Sequence, residues 1–188
     1  MKMRNIFIVI VGISIVFGQS GYEITKTLDE KSKPKNMISK TTMVLTNSKG
    51  KTRNSVMISK TMDNSRRQLI WFLEPKDDKG VSFLKIEHDD RDDEMRIWLP
   101  AFKRVRRISA SKKGDSFMGS DLSYEDMTSR SLDENEYKRL DNETVNGREC
   151  FVIEVTPNAS LKSSYSKHKI WIVKDDLYII KEESYDKR

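Results

Sequence analysis

Beyond residue 36 the chain alternates between apolar and polar positions in short runs separated by turn-forming residues. Before that point, Ile24 and Leu28 lie four apart within residues 22–32, the spacing of one short helical face. Pro34 ends that pattern, because a proline disfavours helix in the residue before it. Residues 42–46 and 56–58 flank Asn47-Ser48-Lys49-Gly50 and read as two strands about a glycine-containing turn. Residues 68–73 form a third strand, stopped by Glu74-Pro75 and the charged run to Gly80. Residues 81–87 form a fourth, which the acidic stretch 88–93 turns into residues 95–99. After a long middle segment, residues 137–145 meet 150–155 across Asn146-Gly147, a strong two-residue hairpin signal. Residues 166–173 and 177–183 make one more hairpin about Lys174-Asp175-Asp176. Successive hairpins with one early helix predict a mainly β, antiparallel fold in one mature domain, residues 19–188.

Several strands are apolar on both faces, where a sheet with one wet face alternates cleanly. Leu69-Ile70-Trp71-Phe72-Leu73, Phe151-Val152-Ile153 and Ile170-Trp171-Ile172-Val173 are the clearest cases. Two explanations remain open at this level: a helix on one side with curvature hiding the other, or a concave apolar cavity that accepts acyl chains.

The first segment changes the cellular setting. Lys2 and Arg4 precede an apolar run from Ile6 to Phe17, with Gly18 after it and Val16 two before Gly18. This is the pattern of a secretory signal peptide over residues 1–18, and the run falls short of the roughly 20 residues that span a bilayer. The formal net charge is +6 for the whole chain, and losing Lys2 and Arg4 lowers it to +4. Such a dispersed excess argues against nucleic acid as a partner, which calls for a concentrated basic face. With Cys150 as the single cysteine, no intramolecular disulfide can form.

Catalytic and metal signals are weak. Gly114-Asp115-Ser116 resembles the opening of an esterase signature, but neither His88 nor His168 has an aspartate three residues before it, and no Gly-x-Ser-x-Gly elbow occurs. Cys150 with His168 forms a thiol–imidazole pair only if the fold brings them together, and a lone cysteine in an apolar strand reads as core. The run from Asp89 to Glu94 lacks the glycine and distant glutamate of a calcium loop and reads as a solvated hairpin tip. No enzyme, cofactor or metal is expected. The cluster Lys103-Arg104-Val105-Arg106-Arg107 is the densest charge in the chain. In a strand, Arg104 and Arg106 share one face and Arg107 points the other way, offering forked donors to lipid headgroups or an acidic partner.

Two stretches go beyond pattern: residues 72–84 (Phe-Leu-Glu-Pro-Lys-Asp-Asp-Lys-Gly-Val-Ser-Phe-Leu), and residues 98–108 (Trp-Leu-Pro-Ala-Phe-Lys-Arg-Val-Arg-Arg-Ile) leading to 116–126 (Ser-Phe-Met-Gly-Ser-Asp-Leu-Ser-Tyr-Glu-Asp). Together they resemble the outer membrane lipoprotein-sorting protein family, the LolA-like group. That resemblance implies a curved, incompletely closed antiparallel β-barrel with short helical cover and an apolar concave face. It implies a monomeric periplasmic carrier of lipoprotein acyl chains or other lipid, without catalytic residues, working beside an inner-membrane lipid exporter. The alternative is an envelope interaction or sensor module using the same sheet without a lipid. Trp71, Phe83, Trp98, Phe102, Phe117 and Trp171 are the candidate cavity wall, and Arg104, Arg106 and Arg107 the candidate headgroup or partner contacts. Pro100 and Gly119 read as backbone devices, and Ser120-Asp121 as the cap of a short turn through Tyr124 to Met127. Family members continue past residues 185–187 with further strands, so the chain is expected to be shortened there or its barrel more open.

Overall fold

A computed structural model of the chain describes residues 18–31 and 34–187. The expected signal peptide, apart from its last position, lies outside the described residues. Among these, no helix is long and apolar enough to cross a membrane. Helix α1 (Gly21–Asp29) is followed by six strands, β1 (Met37–Thr46), β2 (Thr52–Met62), β3 (Arg67–Glu74), β4 (Ser82–Ile86), β5 (Glu94–Leu99) and β6 (Arg104–Ile108). They pair antiparallel in sequence order as one six-stranded sheet. Strands β7 (Asn135–Val145), β8 (Arg148–Pro157), β9 (Tyr165–Val173) and β10 (Ile179–Asp186) form a second antiparallel sheet in the order β10-β9-β8-β7. The sheets do not close on each other, giving the incompletely closed antiparallel architecture that was expected, built from two sheets. The middle segment supplies β6, whose basic run still alternates enough to pair with β5.

Local chemistry explains the boundaries. Ser20 caps α1 and exchanges hydrogen bonds with Glu23 in a capping box, at 3.2 Å to the Glu23 N–H and 2.8 Å back to the Ser20 N–H. Asn146 and Gly147 both have positive φ, as a two-residue type I′ hairpin turn requires. Pro100 stops β5 and opens a single 3₁₀ turn, after which left-handed Lys103 reverses the chain into β6.

Register decides which face of the six-stranded sheet each residue serves. Ser59, Ile70, Phe83, Ile97 and Arg106 lie side by side across β2 to β6, beside a second row of Thr61, Gln68, Lys85, Met95 and Ile108. These rows belong to the inner face. The core there combines Met57, Ile70, Phe72, Phe83, Met95 and Ile97 with Phe117 and Tyr124, which descend from the connection between β6 and β7. Phe117 meets Phe83 edge-on at 5.3 Å and Tyr124 at 5.7 Å, contacts worth about 0.5–1.5 kcal/mol each beyond area burial. Ile58, Trp71, Ser82, Trp98 and Val105 form the corresponding row on the outer face.

The second sheet answers the question of its two apolar faces. On one, Ile24 and Leu28 of α1 pack on Ile153, Val155, Ile170 and Ile172. On the other, Cys150, Val152, Trp171 and Val173 pack with Leu140, Val145 and Ile180, and charged side chains roof Trp171. The ammonium groups of Lys181 and Lys169 sit 4.1 and 4.6 Å from the Trp171 ring, and its indole N–H donates to Glu143 at 2.9 Å. Lysine stems thus hide apolar surface while their heads stay in water.

The sheets meet at the connecting segment. Asp126 accepts from the Tyr165 hydroxyl at 2.6 Å and from the Ser123 N–H at 2.7 Å. Glu125 accepts from the Ser164 N–H at 2.8 Å and from the Ser163 hydroxyl. On the opposite side, the Ser129 N–H donates to Glu87 at 2.8 Å, and Glu87 is ion-paired with buried Lys85. The short turn Glu125–Met127 exists with Tyr124 at its N-cap and is not capped by Ser120-Asp121; the Ser123 hydroxyl accepts from the Glu125 N–H at 3.1 Å, and the Ser120 hydroxyl donates to the Phe117 carbonyl. Truncating Asp126 leaves the Ser123 N–H without its acceptor and the Tyr165 hydroxyl with only Ser123 Oγ at 3.1 Å. Asp126→Ala is therefore expected to cost about 2–4 kcal/mol and Tyr165→Phe about 1–2 kcal/mol, with the double variant costing less than the sum. Urea unfolding of the three variants measures this, and strict additivity contradicts the coupling.

Candidate functional site

Across the inner face of β5 and β6 the connecting segment leaves a cleft of about 250 Å³. Ile97, Leu99 and Ile108 make its floor, Tyr124 and Ser116 one wall, and Arg106, Lys112 and Asp115 its mouth. The backbone positions these groups. Strand register turns Ile97, Leu99 and Arg106 inward, and the Tyr124 N–H donates to the Asp115 carbonyl at 3.1 Å to fix the loop edge. Burial pushes the Tyr124 hydroxyl up, with Arg106 opposing and Asp115 adding, so the phenol stays neutral across the physiological range. The result is an apolar slot with Arg106 and the Lys112–Asp115 ion pair at its opening. A wider, shallower depression of about 720 Å³ lies among residues 18–20 and 139–142; it is more open, borders residues outside the described set, and carries no assignment.

The six aromatic residues singled out in the sequence fall in several places. Phe83 and Phe117 meet in the inner core beside the cleft. Trp71 and Trp98 share the outer-face row, with Lys60 over Trp71 at 5.5 Å. Phe102 stands exposed at the tip between β5 and β6, and Trp171 is sealed under the lysines of the second sheet. Of the three arginines, Arg106 enters the cleft mouth, Arg104 shares its face and covers the Phe102 ring at 5.6 Å, and Arg107 lies on the outer face opposite Arg96. The floor residues Ile97, Leu99 and Ile108 were not singled out beforehand. Their spacing of two is visible in the sequence, but only their register against Arg106 shows which face is shared.

The weak chemical signals are accounted for by position. Cys150 is fully buried and faces away from α1, while His168 lies five register steps along β8 and β9 on the opposite face. They form no pair. The Ser116 hydroxyl donates to the Ser120 carbonyl at 2.6 Å. In the acidic run, Asp93 receives Lys113 at 3.3 Å and Glu94 receives Arg96 at 2.8 Å, as befits a solvated hairpin. Among the described residues no three His, Cys, Asp or Glu groups converge as metal ligands.

Comparison with known proteins places this architecture. No curated protein sequence matches the chain. A family profile described only as that of an uncharacterized protein matches residues 64–188. A domain from Vibrio parahaemolyticus, named provisionally for outer membrane lipoprotein sorting, is 31% identical with a TM-score of 0.78, over 89% of this chain and 72% of that one. A DUF1329 family protein from Desulfovibrio piger ATCC 29098 is 32% identical with a TM-score of 0.79 over the same shares. A LolA superfamily protein from Nitrosomonas europaea shares the fold at 16% identity and a TM-score of 0.58, over 90% of this chain and 73% of that one. The fold is thus a LolA-type open antiparallel sheet. The chain belongs to the LolA-like family of outer membrane lipoprotein-sorting proteins, alongside the DUF1329 proteins.

Beside the junction of the sheets lies a second polar cluster. Buried His168 approaches Ser184 at 2.9 Å and Glu182 at 3.2 Å through Nδ1, and Arg130 donates to Glu182 at 2.6 Å. Burial would raise the Glu182 carboxyl, but the hydrogen bonds from His168 and Arg130 outweigh it and hold the group down at about 2. A depressed carboxyl stabilises the fold above its unfolded value near 4.5, and that contribution is lost as pH falls toward 2. Glu182→Gln is expected to cost about 2–3 kcal/mol at pH 7 and to converge with the parent near pH 2. Urea midpoints of both proteins across this range provide the check; an equal difference at both ends contradicts it.

Proposed function

We propose that the chain is a non-catalytic periplasmic carrier that shelters lipoprotein acyl chains, or another lipid, against the inner face of its six-stranded sheet. The observation that carries this reading is the cleft, an apolar floor of Ile97, Leu99 and Ile108 whose mouth holds Arg106 beside the Lys112–Asp115 ion pair, leaving Arg106, among the described residues, as its free cation. An amphiphile with an anionic or strongly polar head suits both ends of that gradient. Membership of a family named for lipoprotein sorting favours the same ligand class. Each methylene withdrawn from water contributes about 0.8 kcal/mol, so part of one chain suffices for reversible retention. The same proposal includes a mature domain of residues 19–188, a monomer, and delivery of cargo from an inner-membrane exporter.

One observation favours a second reading. Phe117, inserted among Phe72, Phe83 and Tyr124, fills the apolar centre next to the cleft with the protein's own side chain. An interaction or sensor module has such a filled centre permanently. In a carrier, the loop of residues 116–123 withdraws Phe117 and the cleft lengthens into that space. The loop is compact, with Met118 and Gly119 at positive φ between the bridged residues Ser116 and Ser123.

Native mass spectrometry of the protein purified from the periplasm, with lipid extraction, separates the readings. Under the carrier reading lipid copurifies, Leu99→Asp loses it, and Phe117→Ala gains occupancy despite a stability loss of about 3–5 kcal/mol. A clean apo mass, with no lipid uptake by either the parent or Phe117→Ala, supports the module.

A further inference from the structure

The tip between β5 and β6 combines features that the cleft does not use. Phe102 is 67% exposed, Val105 58% and Trp98 37%, although all three are large and apolar. Trp98 and Val105 are cross-strand neighbours on the outer face, one step from the turn that carries Phe102. Two residues farther from the tip on that face, Arg96 and Arg107 stand opposite each other. At a strand rise of about 3.3 Å per residue, this cationic row sits roughly 6–7 Å behind the apolar one. Lys103 and Arg104 flank Phe102 itself. Among the described residues, Lys103, Arg104 and Arg107 have no carboxylate partner, and Arg104 contacts only the Phe102 ring. By contrast, Lys169 lies over Trp171 and pairs with Glu143. Arg96 is ion-paired with Glu94 at 2.8 Å, so Lys103, Arg104 and Arg107 carry the local positive charge that lacks an internal counterion.

We propose that this hairpin is a membrane-docking element, which inserts Phe102, Val105 and Trp98 into the headgroup boundary of an anionic bilayer while Lys103, Arg104 and Arg107 engage lipid phosphates. Aromatic rings with a wet edge favour that boundary, and basic groups one layer behind lie at phosphate depth. The spacing from tip to cationic row matches the shallow immersion of such interfacial elements, about 5–10 Å. An acidic protein surface would also use these cations, but an apolar tip backed by a cationic layer follows the depth order of a bilayer's headgroup boundary. The same hairpin contributes Leu99 and Arg106 to the cleft, so docking brings the mouth of the cleft to the lipid surface. That consequence rests on the carrier reading; the docking itself does not.

The test is co-sedimentation of the exported, purified protein with phosphatidylcholine vesicles, with and without phosphatidylglycerol. Binding is expected with phosphatidylglycerol only, and to weaken as salt rises. Phe102→Ser should lower the partition coefficient about tenfold with an unchanged urea midpoint. Lys103→Glu with Arg104→Glu should lower it at least about twentyfold. Lys49→Glu with Lys51→Glu, the same charge change at the exposed β1–β2 turn, should lower it far less. Equal loss in the two charge variants, or full binding by Phe102→Ser, overturns the proposal in favour of diffuse electrostatics or an acidic partner. Native mass spectra taken in parallel separate the two proposals. Lipid load retained by Phe102→Ser with vesicle binding lost supports docking as a distinct property, and vesicle binding that depends on Phe102 in a lipid-free protein supports docking while removing the carrier.

Discussion

Two adjacent carboxylates, Glu125 and Asp126, hold the second sheet to the segment that connects the sheets. The residues leading into β9 aim the Ser163 hydroxyl, Ser164 N–H and Tyr165 hydroxyl across the gap, where Glu125 accepts the first two and Asp126, with Ser123 Oγ at 3.1 Å, meets the third. Burial, then the bond to Asp126, pushes the Tyr165 hydroxyl up to about 12, so it remains a donor wherever the carboxylate is charged. The contact is tight on its other flank as well. A Cβ added to Gly114 would lie 2.1 Å from the Ser164 hydroxyl oxygen, which explains why the chain crosses there as glycine. Everything the connecting segment places depends on this anchor, including Phe117 and Tyr124 over the first sheet and the loop edge of the cleft.

Much of this arrangement is legible in the sequence, for identifiable reasons. Asn146-Gly147 and the short apolar alternations locate the hairpins because turn chemistry and period-two patterning are local properties. The strands β1 and β2 run much longer than residues 42–46 and 56–58 suggest, since Ser55, Ser59 and Thr61 are polar yet face inward. A pattern that counts apolar residues misses them. The junction was not legible either. Glu125, Asp126, Ser163 and Tyr165 are about 40 residues apart, and nothing local announces that a carboxylate in a 3₁₀ turn serves a distant strand.

The apolar runs of β8 and β9 teach a related lesson about candidate residues. Trp171 reads as a ligand-facing aromatic because its neighbours Ile170 and Ile172 are apolar too. In the fold, Ile170 and Ile172 meet α1, and Trp171 is turned under Lys169 and Lys181. Those lysines look like ordinary solvated positions in the sequence, yet their methylene stems supply the cover that a second helix would otherwise give. Phe83 and Phe117 differ because their partners are aromatic and sit in one core, so the same residue type carries different roles according to what lies across the sheet.

Strand β6 shows how much one alternation can decide. Its five residues, Arg-Val-Arg-Arg-Ile, lack the apolar density of the other strands, and pairing with β5 is what holds them extended. Once paired, alternation sends Arg106 and Ile108 to the cleft and Val105 and Arg107 outward. A slip of one residue would exchange the two sets, placing Arg107 over the hydrophobic core and Ile108 in water, and burying an unpaired guanidinium there is prohibitively costly. Ile108 packed beside Met95 therefore acts as the register lock for the whole basic hairpin. The same choice gives one short strand a cation for the cleft on one face and an apolar, basic surface on the other, so the two proposed roles of this region follow from a single register.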